Sequence, residues 1–321
     1  MYSMTNASSL ENLVDKIAQF AVAAGWTQHK NTIAGSLRTI ALRKGGDYIH
    51  IWNSSTTVLN ISGSVGFTSG NAPRSQPNQS IRYNFATTGA GPFANVFMFA
   101  DNSPAEHVHV AIEIAGGFFR HFSFGLLDKT CAGTYAGGTY FGCINWDTST
   151  SRRGQLTSTY HNWMFGGGSQ AGANGGGVRV DHGALTNYFA PFIAAIYTTQ
   201  GTEPVASGLV LAESTADSGN YGDAYRQMSG YYDRSVNSWM GITPMKPIQV
   251  RLERPGNYFS MLGEVPNIRF IRMDRFTPGE ETTLGTSEVW KIFPMIRQMA
   301  SWSSGEPEGS VQGGFAYKKV V

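Results

Sequence analysis

The most regular pattern along the chain is an alternation of apolar and polar positions between His107 and Leu127. Its first half, HVHVAIEI, sets Val108, Val110, Ile112 and Ile114 on one face and His107, His109, Ala111 and Glu113 on the other. That period of two is the signature of a strand. The second half, FFRHFSFGLL, follows Ala115-Gly116-Gly117, so the two halves predict a β-hairpin. A two-residue Gly116-Gly117 turn sets Val110 opposite Ser123 and Ile112 opposite His121, mixing the faces. A three-residue connection sets Ile114 opposite Phe118, Val110 opposite Phe122 and Val108 opposite Phe124, and leaves only Arg120 out of place. Because a one-residue slip exchanges the faces, the second register is expected. The candidate core of the hairpin is therefore Val108, Val110, Ile112, Ile114, Phe118, Phe122 and Phe124.

Helical spacing occurs once with clear ends. Leu10, Leu13, Val14, Ile17 and Ala21 recur on one face of residues 9–24, Ser8-Ser9-Leu10-Glu11 resembles a capping box, and Gly25 supplies the stop. Shorter β-type runs follow at Ser36–Leu42, Asp47–Trp52 and Thr56–Ile61, and the central sheet begins again at Val96–Ala100. Later strands are expected at Val178–Val180, Val205–Ala212, Ile248–Glu253, Ile268–Met273, Glu288–Pro294 and Gly314–Val320. The stretch Thr130–Trp146 alternates small and aromatic residues and reads as a winding surface strand bent at its glycines. Between these lie Gly63–Pro92, centred on NAPRSQPNQS, and the glycine-rich Ser149–Asp181, both read as long surface loops or insertions.

The pattern predicts a mainly β protein of antiparallel sandwich or barrel-like sheets, with a short N-terminal α-helix and long Gly-rich loops. Its expected organisation is a helix-plus-β region over residues 1–147, a Gly-rich insertion over 148–183, and a second β region over 184–321 completing the fold.

Composition sharpens this picture. Charged residues are 14% of 321, against about a quarter in an ordinary soluble domain, while Gly numbers 39 and aromatics reach 12%. Low charge suits a surface covered by partner subunits, whose interface cores are depleted in charge. The net charge of +2 argues against a dedicated nucleic-acid clamp. No apolar run of about 18 residues exists, so no membrane span is expected. The N-terminus has no signal-peptide pattern, so Cys131 and Cys143 are expected as reduced thiols.

Candidate chemistry is sparse. His107, His109 and His121 share a strand face in the favoured register and, with Cys131 or Cys143, are the residue types of a zinc site. The cysteine spacing is not that of a zinc finger, and an exposed or interface-facing polar sheet explains the same histidines. No G-x-S-x-G elbow accompanies Asp181-His182 or His161, and Glu280-Glu281 lies in a turn. The GGGSQAGANGGG segment lacks the Lys-Ser/Thr and helix of a phosphate loop. No catalytic residue, metal ligand or cofactor is therefore expected.

The chain resembles a group of tailed-bacteriophage virion structural proteins. The resemblance rests on the N-terminal helix ending in Ala24-Gly25-Trp26, on VFMFADNSPAEHVHVAIEIAGGFFRHFSFGLLDK with TYAGGTYF after it, and on EVWKIFP and GGFAYKKV near the C-terminus. It implies a non-enzymatic virion building block of the neck, collar, tail or baseplate, assembled in the bacterial host cytoplasm. The implied partners are copies of itself in a ring and other neck or tail proteins, with no membrane and no sequence-specific nucleic acid. The nearly uncharged loops supply candidate interface positions at Asn71, Pro73, Arg74, Gln76, Pro77, Gly166, Gly168, Gln170 and Asn174. A carbohydrate-binding or depolymerising receptor-binding protein is the competing expectation, since Tyr and Trp clusters also line sugar grooves. A zinc-dependent hydrolase is a third.

Overall fold

A computed structural model of the chain describes residues 1–64, 66–67, 73–74, 81–84, 91–114, 118–130, 136–143, 176–182, 185–190, 195–200, 203–207, 245–254, 258–273, 276–294 and 313–320. Among these the fold is mainly β with one helix. In chain order the first elements are β1 (Tyr2–Ala7), α1 (Leu10–Ala23), β2 (Thr27–Ala34), β3 (Leu37–Lys44), β4 (Asp47–Ser55), β5 (Val58–Ser64), β6 (Gly66–Phe67), β7 (Pro73–Arg74) and β8 (Ile81–Asn84). The middle of the chain gives β9 (Phe93–Asp101), β10 (His107–Ile114), β11 (Phe118–Leu126), β12 (Ala136–Cys143), β13 (Gly176–His182) and β14 (Leu185–Ala190). The rest are β15 (Ala195–Gln200), β16 (Glu203–Ser207), β17 (Lys246–Arg254), β18 (Tyr258–Arg272), β19 (Glu281–Leu284), β20 (Glu288–Pro294) and β21 (Gly313–Lys319).

The strands form a seven-stranded sheet β1-β9-β10-β11-β12-β13-β14, a second of order β16-β15-β17-β18-β21-β20-β19, a five-stranded sheet β2-β3-β4-β5-β8, and the small pair β6-β7. Pairing is antiparallel except between β15 and β17. The β10–β11 register is Ile114 opposite Phe118, Val110 opposite Phe122 and Val108 opposite Phe124. That is the register of a three-residue connection; residues 115–117 lie outside the described residues.

The first seven-stranded sheet is the centre, because it is covered on both faces. One face carries Val96, Met98, Val108, Val110, Ile112, Phe122, Phe124 and Phe141 into a core shared with α1 and with Ile40, Leu42, Ile49, Ile51, Leu59 and Ile61 of the five-stranded sheet. Helix α1 contributes Leu10, Leu13, Val14, Ile17 and Ala21 to it. Ser9 caps the helix, its Oγ accepting from Asn12 N at 3.1 Å, while Asn12 Oδ1 accepts from Ser8 N at 3.2 Å. The reciprocal residue is thus Asn12 and not the Glu11 of the expected capping box. At the other end Gly25 at φ +92° lets Gly25 N reach Val22 O and Trp26 N reach Ala21 O, both at 3.0 Å, which closes the last turn.

The structure corrects several expectations. Strand β1 is not among the expected strands; it pairs with β9 and extends the central sheet. The supposed loop Gly63–Pro92 contains β8, the fifth strand beside β5, and the β6–β7 pair holding Pro73 and Arg74. The division at residues 148–183 does not match the sheets: β13 and β14 belong to the central sheet, which runs to Ala190. The expected surface strand around residue 140 is interior, with Tyr140 and Phe141 buried. Its bend is real, since the β12–β13 register shifts between Gly137 and Tyr140. Asn71, Gln76, Pro77, Gly166, Gly168, Gln170 and Asn174 lie outside the described residues, as does Cys131.

Candidate functional site

The second face of the central sheet packs against the β17–β21 side, and here the histidines sit. His107, His109 and His121 are 0–1% exposed, so the expectation of an exposed or interface-facing polar sheet is wrong. They are held as follows. His109 Nε2 lies 2.7 Å from the Pro266 carbonyl and Nδ1 lies 2.6 Å from Ser123 Oγ. A carbonyl only accepts, so Nε2 carries the proton and Nδ1 accepts the Ser123 hydroxyl. His121 repeats the arrangement: Nε2 donates to Pro294 O at 2.9 Å, and Nδ1 accepts from the Tyr317 hydroxyl at 2.7 Å. His107 Nδ1 donates to Ala105 O at 2.8 Å.

Rings fill the space between. Phe99 stacks on Tyr317 with centroids 5.1 Å apart, His109 lies 5.4 Å from Tyr317, and Phe97 lies 4.7 Å from Phe293. Ser123 Oγ and the Tyr140 hydroxyl are 3.3 Å apart. Burial therefore governs every titration here. It pushes His107 down to about 4 and His121 down to about 3, holds His109 well below the usual imidazole range, and raises the Tyr140 and Tyr317 phenols. Neutral imidazoles with both nitrogens committed, as at His109 and His121, have no lone pair for a metal and no free proton for acid–base work. Among the described residues, no group of three or more His, Cys, Asp or Glu is placed to hold a metal ion. The layer is a clamp that joins two sheets.

The same clamp includes a kink in β18. Between Pro247–Arg269 and Gln249–Glu264 its pairing with β17 shifts, and Asn267 within the shift takes φ +54°. Asn267 Nδ2 donates to Ser103 O at 2.9 Å, tying the kink to the segment before β10.

A different kind of feature lies on the five-stranded sheet. Strand β2 is its outer member, pairing with β3 alone, and seven of its eight residues are exposed while Lys30 is half-buried. Ile33 is 57% exposed and Leu37, across the turn, is 36% exposed. The hairpin is nonetheless anchored. Arg38 Nε donates to Glu11 Oε1 at 2.5 Å, and its Nη1 donates to Asp15 Oδ1 at 2.6 Å and to Asn31 Oδ1 at 2.8 Å. Asn53 Oδ1 accepts from Arg38 N at 2.7 Å while Asn53 Nδ2 donates to Ser36 O at 2.8 Å. On the opposite seven-stranded sheet, β19 is likewise an outer strand, with Leu284 48% exposed. Its Glu281 accepts from Lys291 at 3.1 Å and from Lys319 at 3.0 Å.

The sequence brought His107, His109 and His121 to one strand face but missed their partners Tyr317, Pro266 and Pro294, which are more than 150 residues away. It also missed β2 and β19. A signal for β2 was present in the apolar Ile33-Ala34 before Gly35, with Leu37 just after it. Compared with known proteins, the chain matches no protein-family model and no curated protein.

Proposed function

We propose that the chain is a structural subunit of a tailed-phage particle that acts by assembling into a ring in the neck, collar or tail region. In this reading it is not an enzyme, its partners are its own copies and the neighbouring neck or tail proteins, and its place is the virion after assembly in the host cytoplasm. The observation that carries the reading is β2, an eight-residue outer strand exposed along nearly its whole length, with exposed Ile33 within it and exposed Leu37 across the turn. An open strand edge is a template for pairing with another chain, and monomeric proteins blunt or cover such edges. The resemblance of the hairpin and terminal segments to phage virion proteins points the same way. So does a rigid interior: a subunit that must hold its surface against neighbours is served by sheets clamped through buried hydrogen bonds. Among the described residues, no helix is long and apolar enough to cross a membrane.

Native mass spectrometry of the purified chain, with negative-stain electron microscopy, tests the proposal. Closed rings of one copy number are the expected result. A chain that stays monomeric up to the concentrations of an assembling cell, and that is missing from purified particles of the phage encoding it, overturns it.

A further inference from the structure

Among the described residues, the outer strands β2 and β19 are largely exposed, lie on different sheets and differ in chemistry. Strand β2, TQHKNTIA, carries His29 and Lys30 and no acid. Strand β19, ETTL, carries Glu281 and no base, with Glu280 just before it. Each carries an exposed aliphatic at or next to its C-terminal end, Ile33 on one and Leu284 on the other. The separation between charge and aliphatic is the same in both strands: Lys30 to Ile33 and Glu281 to Leu284 are each three residues.

We propose that β19 of one copy adds in parallel to the free edge of β2 of the next copy, and this rests on the ring reading above. In the parallel register Lys30 meets Glu281, Asn31 meets Thr282, Thr32 meets Thr283 and Ile33 meets Leu284. One side of the joint ribbon then carries the ion pair and the Thr32–Thr283 pair, and the other carries Asn31 with Thr282 and the aliphatic pair, because alternate residues share a face. Antiparallel alignment over the same four residues sets Glu281 against Ile33 and Lys30 against Leu284, which satisfies neither. Antiparallel alignment that keeps Lys30 opposite Glu281 carries Leu284 to Thr27 and leaves Ile33 uncovered.

Glu281 has room for the contact. Lys291 and Lys319 hold it from the β20 and β21 side and are themselves 13% and 24% exposed, while the Glu281 side chain is 39% exposed. The pairing is heterologous, since two different edges meet, and such contacts generate a ring when the rotation closes. It would join the five-stranded sheet of one subunit to the β19-edged sheet of the next, with main-chain hydrogen bonds providing the hold and the side-chain match providing the register.

Two singly substituted chains, Thr32→Cys and Thr283→Cys, provide the test, since both positions are exposed and no single molecule holds both cysteines. They are mixed, treated with a short bismaleimide, and analysed by peptide mass spectrometry, with wild-type chain treated in parallel to identify links through Cys131 and Cys143. A 32–283 link formed only in the mixture is the expected result. Leu284→Asp should also raise the concentration needed for half-assembly at least tenfold. Assembly without a 32–283 link, or a 32–32 link in its place, overturns this pairing while the ring reading stands. A chain that never assembles overturns both.

Discussion

Acidification should unfold this protein in a pH window set by its buried histidines. His50, His107 and His121 are each 3% exposed or less, and their imidazoles are depressed by burial from 6.5 to about 4, about 4 and about 3. For His50, Lys30 and His29 add charge repulsion; for His121, Arg120 does. In the folded chain these rings stay neutral below pH 6.5, whereas in the unfolded chain they bind protons. The unfolded state therefore gains protons as the pH falls, and stability drops from 6.5 down toward the folded values. At pH 5 the linkage amounts to about 2 kcal/mol for each ring, and about 6 kcal/mol for the three. His109, shifted in the same direction, adds to this. A loss of about 6 kcal/mol is comparable with the whole stability of many domains, about 5–15 kcal/mol.

Among the described residues, Glu281 and Glu288 do not confuse the window. Glu281 and Glu288 are held below the usual carboxylate range, chiefly by hydrogen bonds from Lys319 and Lys318, so their contribution is lost only below about pH 4.5. Urea unfolding followed by tryptophan fluorescence at pH 7.5, 6.5, 5.5 and 5.0 gives the stability at each pH. The expected curve falls most steeply between 6.5 and 5. Substitution His121→Gln lowers the value at pH 7.5, yet the loss between pH 7.5 and 5 should shrink by about 2 kcal/mol. An unfolding midpoint that does not move between pH 7.5 and 5 would refute the idea that these rings are buried neutral.

Other substitutions probe separate parts of the frame. Arg38→Met removes the fork that holds Glu11, Asp15 and Asn31 and should cost about 1–2 kcal/mol, read as a Tm loss of a few degrees that Arg38→Lys does not fully restore. Gly263→Ala places a Cβ 2.2 Å from the Asp128 carbonyl oxygen, where the Asp128–Glu264 bridge joins the two large sheets; the expected loss is about 2–3 kcal/mol by denaturant unfolding. Val110→Asp puts an unpaired charge at a fully buried position of the hairpin and should cost about 4 kcal/mol or prevent soluble expression, so an unchanged Tm would remove Val110 from the core.

How far the sequence reveals this fold depends on how local each determinant is. The β10–β11 register was legible because alternation and a glycine connection sit within about twenty residues and permit one consistent pairing. Helix α1 was legible for the same reason, with its cap and its glycine stop close at hand. Strands β20 and β21 were legible as segments, but their place beside one another and over the central sheet was not. Exposed β2 lacks a buried face, so no alternation marks it. Strand β13 follows a glycine-rich stretch, and composition there suggested an insertion although the last residues complete a ladder with β12.

The histidines show why a correct face was assigned the wrong environment. A sheet with one apolar and one polar face ordinarily turns the polar face to water, and His107, His109 and His121 invite that reading. Here a second sheet covers that face, and its covering strands bring the Pro266 and Pro294 carbonyls to the rings. Pro266 lies where β18 shifts against β17 and before its pairing with β21 begins at Ile268, so its carbonyl has no strand partner in either ladder. Pro294 ends β20. An aliphatic residue at position 109 would leave the Pro266 carbonyl unpaired in the interior, at a cost of about 1–3 kcal/mol, and one at position 121 would lose the bonds to Pro294 O and the Tyr317 hydroxyl. A lysine would bury a charge. Histidine alone offers a donor for the carbonyl, an acceptor for the Ser123 or Tyr317 hydroxyl, and a flat ring to pack against Tyr317 and Phe315. A polar face of the central sheet is thus the means by which the second sheet is fixed at one position, since a shift of one residue along β10 or β11 would break both bonds of a ring together.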